Sequence, residues 1–205
     1  MRCMSLTKVC WVHKGICYMI KNSEIQNIVH KTLSRIWEYD IPRDYNNRWL
    51  LKEDTLKNAL YFHLRNQLKK MFVENDVRIF TEFTDGRFKG SGYRPDIVIA
   101  RIDPSKQVSY WGEAVTECLA VIEIKFKTGF LPHAEIEADY EKLRYYAEDF
   151  DVTGDLYMAT IWEYEDNATT WIRKNAAWAK GIVTELNASY EPGSDKQMRF
   201  YVYEH

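Results

Sequence analysis

A carboxylate and an ammonium stand two residues apart inside an otherwise apolar run: Glu123 and Lys125, in CLAVIEIKF over 118–126. Strand side chains alternate between faces, so Val121, Glu123 and Lys125 share one face and Ile122, Ile124 and Phe126 the other. Charges among apolar neighbours are costly to bury without partners. A metal ion together with a polar substrate would compensate them. A second carboxylate, Asp96, follows Pro95 at the head of PDIVIARI over 95–102. Proline suits the first position of a strand. Aspartate is disfavoured inside one, so its place there asks for a chemical reason. If these two runs are neighbouring strands, Asp96 meets Glu123 near one end of a sheet. Two carboxylates around Mg²⁺, which keeps several of its waters, suit chemistry on phosphates.

The elements that must position these residues can be read from periodicity. Ser23 is placed to cap a helix reaching about residue 38, with Ile25, Ile28, Val29, Leu33, Ile36 and Trp37 at helical spacing. Residues 40–49, DIPRDYNNRW, read as a loop. A second helix is predicted over 52–72, its stripe made by Leu56, Leu60, Leu64, Leu68 and Met71. VRIFTEF over 77–83 reads as a strand, and TDGRFKGSGYR over 84–94 as a glycine-rich turn. After the strand at 95–102 come a turn at 103–107 and a short strand in VSYW, and then the strand at 118–126. A helix follows over 134–149, with Ile136, Tyr140, Leu143 and Ala147 along one face. A strand at 155–164, a helix at 168–180 and two strands around an EPGSD turn complete the reading. The order predicts a mixed α/β fold.

Asp96 after Pro95, followed by Glu123-Ile124-Lys125 on the next long strand, resembles the PD-(D/E)xK nuclease superfamily. The resemblance covers about residues 52–164 and implies a restriction-endonuclease-like core. That core is a mixed β-sheet flanked by helices in the order αβββαβ, here with an extra N-terminal helix and C-terminal strands. It further implies Mg²⁺-dependent hydrolysis of phosphodiester bonds, with Mn²⁺ as a substitute metal. Asp96 and Glu123 would hold the ion, and Lys125 would orient or help deprotonate the attacking water. The family often supplies a further glutamate from the helix before the strands. Glu53 fits, since it lies on the inward stripe three residues before Leu56, and Glu82 is the competing candidate. Some relatives carry Gln and Tyr on the helix after the motif. Here that helix offers Asp139, Lys142, Tyr145 and Tyr146, with no Gln.

The chain has 205 residues and a net charge of −2, so binding to DNA must come from local clusters of Lys and Arg. Lys57 on the second helix, Arg87, Lys89 and Arg94 in the glycine-rich turn, and Lys127 past the motif strand form such a cluster. The acidic helix at 134–149 is expected to turn Glu135, Glu137, Asp139, Glu141 and Glu148 to solvent. Hydrophobic residues make up 46% and charged residues 28%, which excludes a disordered chain. Four cysteines without CxxC spacing argue against a structural zinc and fit reduced thiols in a cytoplasmic protein. No apolar stretch reaches the ~20 residues of a membrane span. Residues 1–18 read as an uncertain leader, 19–51 as a helical extension and 52–205 as one nuclease-like domain. Cutting both strands together would favour a homodimer. The alternative expectations are an inactive nuclease-fold module that binds DNA or protein, and an interaction protein.

Overall fold

The computed structural model describes residues 20–84, 92–127, 133–148, 154–163, 172, 177–190 and 197–205. Alternating apolar runs form a six-stranded mixed sheet in the order β1-β2-β3-β4-β5-β6. The strands are β1 (Val77–Thr81), β2 (Ile97–Ile102), β3 (Val115–Lys127), β4 (Asp155–Trp162), β5 (Val183–Tyr190) and β6 (Met198–Glu204). β1, β2 and β3 form an antiparallel meander, β3, β4 and β5 run parallel, and β6 returns antiparallel to β5. The parallel β3–β4 pair requires a crossover, which contains α4 (His133–Glu148).

Alternation sorts the two faces of the sheet into two cores. Ile122, Ile124 and Phe126 join Ile97, Tyr157, Ala159 and Leu186 under the N-terminal helices. These are α1 (Asn22–Arg35), α2 (Ile41–Asn46) and α3 (Glu53–Glu74). Leu56, Leu60, Leu64 and Leu68 of α3 and Ile25, Val29 and Leu33 of α1 belong to this same core, so the N-terminal helices and the sheet are packed as one body. On the other face, Val98, Val121, Met158 and Trp162 pack against Ile136, Leu143 and Tyr146 of α4. At the ~25 cal/mol per Å² of buried apolar surface, these two layers are the main source of stability.

Several elements differ from the sequence reading. Lys21 rather than Ser23 is the N-cap of α1, and no side chain caps it. The segment expected as a loop at 40–49 is largely helical. A π-helical turn spans Ile36–Asp40, and α2 follows with its proline in the first helical turn. Pro42 lacks an N–H and crowds the preceding turn, and the wider π turn accommodates both effects. Asp44 and His63, both buried, then tie α2 to α3 by a 2.7 Å hydrogen bond. The VSYW segment is not a strand. Trp111–Ala114 forms a 3-10 turn and β3 starts only at Val115. Of the helix expected at 168–180, residues 177–180 form a turn and most of the rest lies outside the described residues, as does the leader at 1–18. Among the described residues no helix is long and apolar enough to cross a membrane.

Candidate active site

The site lies where β2 stops and β3 continues. The last register pair between them is Ile97↔Ile122, while β3 runs on to Lys127. Past that point the Ile124 N–H has no ladder partner on β2. It donates instead to Oδ2 of Asp96 at 2.9 Å. The carboxylate of the Pro-Asp pair is thus fixed between Glu123 and Lys125, because it replaces a backbone acceptor. Glu82, which has a positive φ of 50°, donates its own N–H to the Asp96 carbonyl at 3.0 Å. A non-glycine residue in this left-handed region stores strain.

Glu53 enters from the first turn of α3. Thr55 Oγ1 accepts the Lys52 N–H at 3.0 Å, which fixes where the helix begins. Glu53 Oε2 lies 3.2 Å from Lys125 Nζ. One turn further on, Lys57 Nζ meets Asp96 Oδ1 at 3.2 Å and also Glu82 Oε1. α4 closes the other side. Asp139 Oδ2 is 2.9 Å from Lys125 Nζ, and Asp139 Oδ1 is 2.6 Å from Lys142 Nζ. Tyr146 donates its hydroxyl to Glu123 Oε1 at 3.0 Å, and Lys142 Nζ stands 3.7 Å from Glu123 Oε2. A cleft of about 520 Å³ opens over this group, lined by Glu53, Asp96, Lys125, Asp139 and Lys142, with Glu82, Thr84, Tyr93 and Arg94 at its rim.

Charge and burial set the protonation states. Glu123 is 1% exposed. Burial pushes its carboxyl up to about 8, and the charges of Asp96 and Asp139 add to this against Lys142 and the Tyr146 hydroxyl. Burial also raises Glu53, opposed by Lys125. For Lys125 burial works against the ammonium, but Asp139 and then Glu53 outweigh it and hold its pKa above the ordinary lysine value. Lys57 is likewise raised against burial, by Glu82 and Asp96, and Lys142 by Glu123 and Asp139. In this state Lys125 is therefore a cation and hydrogen-bond donor, which counts against its use as the base.

The structure places Asp96, Lys125 and Glu53 in the lining of one cleft, while Glu123, on the strand position before the Asp96-bonded Ile124, is buried and outside that lining. It treats the expected DNA-contacting cations differently. Arg94 is at the rim, 59% exposed, with Nε 2.8 Å from Glu82 Oε2. Lys57 is engaged inside the cluster. Lys127 is only 2% exposed, its ammonium 5.0 Å from the centre of the Trp162 ring, so it cannot meet a phosphate backbone. It has the same parity as Lys125, and its register partner on β4 is the bulky Trp162. Arg87 and Lys89 lie outside the described residues. Glu82 pairs with Lys57 and Arg94, whereas Glu53 pairs with Lys125.

Sequence reasoning turned Asp139 to solvent with the other acids of α4, and the structure corrects this. Glu135, Glu137, Glu141 and Glu148 are exposed, but Asp139 is 4% exposed and sits between two lysines. Asp139, Lys142 and Tyr146 were all missed as site residues. A signal was available: Ile136, Asp139, Leu143 and Tyr146 also lie at helical spacing, a stripe that shares Ile136 and Leu143 with the predicted one and is turned from it by about 50°.

As a metal site the donor set consists of carboxylate oxygens, the ligand type that Mg²⁺ prefers. Burial is the main cause that raises the Glu123 carboxyl to about 8, and Lys142 opposes it. Lysines pair with these carboxylates: Lys57 with Asp96, Lys125 with Glu53 and Lys142 with Glu123. Among the described residues no three His, Cys, Asp or Glu side chains are grouped closely enough to hold an ion as they stand. No family model, curated protein or solved structure matches the chain.

Proposed function

We propose that the chain is a Mg²⁺-dependent nuclease of the restriction-endonuclease-like fold, hydrolysing phosphodiester bonds of DNA. An endonuclease of a restriction, repair or defence setting is the form this reading takes. The observation that carries it is the bond from the Ile124 N–H to Asp96 Oδ2, which brings the Pro-Asp carboxylate to the middle of the Glu-Ile-Lys triplet. The order α3, β1–β2–β3, α4, β4 is compatible with the αβββαβ core.

Asp96, Glu123 and Glu53 would hold the ion. When bound, it supplies Lewis acidity towards a phosphoryl oxygen and a bound water of lowered pKa. Lys125, kept cationic by Asp139 and Glu53, would donate to the attacking water or to the phosphoryl oxygens as negative charge builds. Tyr146 fixes the orientation of the Glu123 carboxyl. Arg94 at the rim would bind a neighbouring phosphate, with Glu82 aiming its guanidinium.

A second reading is an inactive nuclease-fold module that binds DNA or protein. It draws on the lysines that already neutralise the carboxylates, Lys57 at Asp96 and Lys142 at Glu123. One experiment separates the two. Linear, circular and single-stranded DNA are incubated with Mg²⁺ or Mn²⁺, beside Asp96→Ala and Lys125→Ala proteins. The nuclease reading expects cleavage by the wild type, lost in both variants. Absence of cut product on every substrate, with no Mg²⁺ binding by calorimetry and with DNA binding retained, would favour the second reading instead.

A further inference from the structure

We infer that Tyr110 is a stacking surface for an unpaired base of the DNA strand whose phosphate the cleft would take. This rests on the nuclease reading and adds a substrate form to it: single-stranded or locally opened DNA. The Tyr110 ring lies open to solvent, 52% exposed. Tyr110 is nonetheless fixed. Its hydroxyl donates to the carbonyl of Thr84 at 3.1 Å, and Thr84 lines the cleft with Asp96 and Arg94. Its ring rests on Gly112, where a Cβ would come within 2.3 Å of the ring carbon Cε1. The glycine is therefore what lets the ring fold back to the cleft rim.

An exposed aromatic ring tied at both ends loses little freedom when a flat ligand settles on it. The neighbouring chemistry narrows that ligand. On the nuclease reading the cleft takes a phosphate; its lining sets Lys125, Lys142 and Arg94 among Glu53, Glu82, Asp96 and Asp139, and Arg94, paired with Glu82, is the exposed cation of that lining. A ligand with flat faces joined by phosphates is a nucleic-acid strand. In a duplex each base face is covered by its neighbours, so only an unpaired base can offer one to Tyr110. The surface therefore favours single strands over duplex.

The test is fluorescence anisotropy in EDTA, so that binding is read without cleavage. The probes are a labelled single strand of about 12 nucleotides and the duplex of the same sequence. Tyr110→Ala is expected to weaken single-strand binding about tenfold while leaving duplex binding within about twofold. Tyr110→Phe, which keeps the ring, is expected to retain most single-strand affinity, and thermal melts check that each variant folds. The inference is overturned if Tyr110→Ala leaves single-strand binding intact, weakens both probes equally, or if the wild type binds neither probe. Cleavage measured separately in Mg²⁺ keeps the two claims apart. Cleavage without a Tyr110 effect overturns the stacking surface alone. Tyr110-dependent single-strand binding by a protein that never cuts supports the surface and removes the nuclease.

Discussion

Replacing Glu123 by Gln isolates the buried carboxyl at the centre of the cluster. The amide keeps an oxygen for the Tyr146 hydroxyl, now 3.0 Å from Glu123 Oε1, and removes the titration. Burial raises Glu123 from 4.5 to about 8 in the folded, metal-free protein, and unfolding returns it to its ordinary value. Between those two pH values the folded chain holds a proton that the unfolded chain has released. Stability contributed by this group is therefore lost as pH rises through the window, and the loss levels off once the folded carboxyl also ionises. Each pH unit inside the window is worth about 1.4 kcal/mol. Between about pH 6 and pH 8 the wild type should lose about 2–3 kcal/mol relative to Glu123→Gln. Urea unfolding of both proteins in EDTA, at pH steps across this range, measures the difference. A constant difference would refute the placement of Glu123 as a desolvated carboxyl. Mg²⁺ added near the upper end should raise the wild-type midpoint and leave the Gln variant where it is.

Asp139→Asn strips two lysines of their shared partner on α4 and should cost about 2–3 kcal/mol in urea unfolding. A variant as stable as the wild type would mean that solvent already serves those ammoniums. Arg94→Ala should weaken duplex DNA binding and reduce the salt dependence by about one phosphate contact, while Lys127→Met leaves both unchanged. Equal losses from the two, in titrations over a salt series, would contradict the burial of Lys127. Gly154→Ala would bring a Cβ within 2.5 Å of the Leu119 carbonyl carbon, so the start of β4 must move off β3, at a cost of about 2 kcal/mol. An unchanged melting temperature would show that the contact relaxes freely.

How far the site could be read from the sequence depended on the kind of signal. Period-two alternation put Glu123 and Lys125 on one face and Ile122, Ile124 and Phe126 on the other, and the two cores divide the strand in that way. Proline before Asp96 marked where β2 begins. Alternation says which residues share a face, but not how deeply each is covered. Lys127 therefore passed for a surface cation until its β4 neighbour proved to be Trp162. Asp139 was grouped with its acidic neighbours because charge alone does not show the turn of a helix. Lys57 looked like a phosphate contact because the acids it meets, Glu82 and Asp96, are distant in sequence. The π turn at Ile36–Asp40 left no periodic trace, so Pro42 was read as a loop marker although it sits in the first turn of α2.

The early stop of β2 also bears on how the sheet meets other chains. Beyond Ile122, β3 presents N–H and C=O groups that β2 does not claim, and bare strand borders invite other chains to zip onto them. Here that border is guarded: the Asp96 carboxylate occupies the Ile124 amide, and Glu53 and Lys57 stand beside it. The charges proposed to hold an ion thus also deter sticking between molecules, so on that proposal one set of side chains serves both ends.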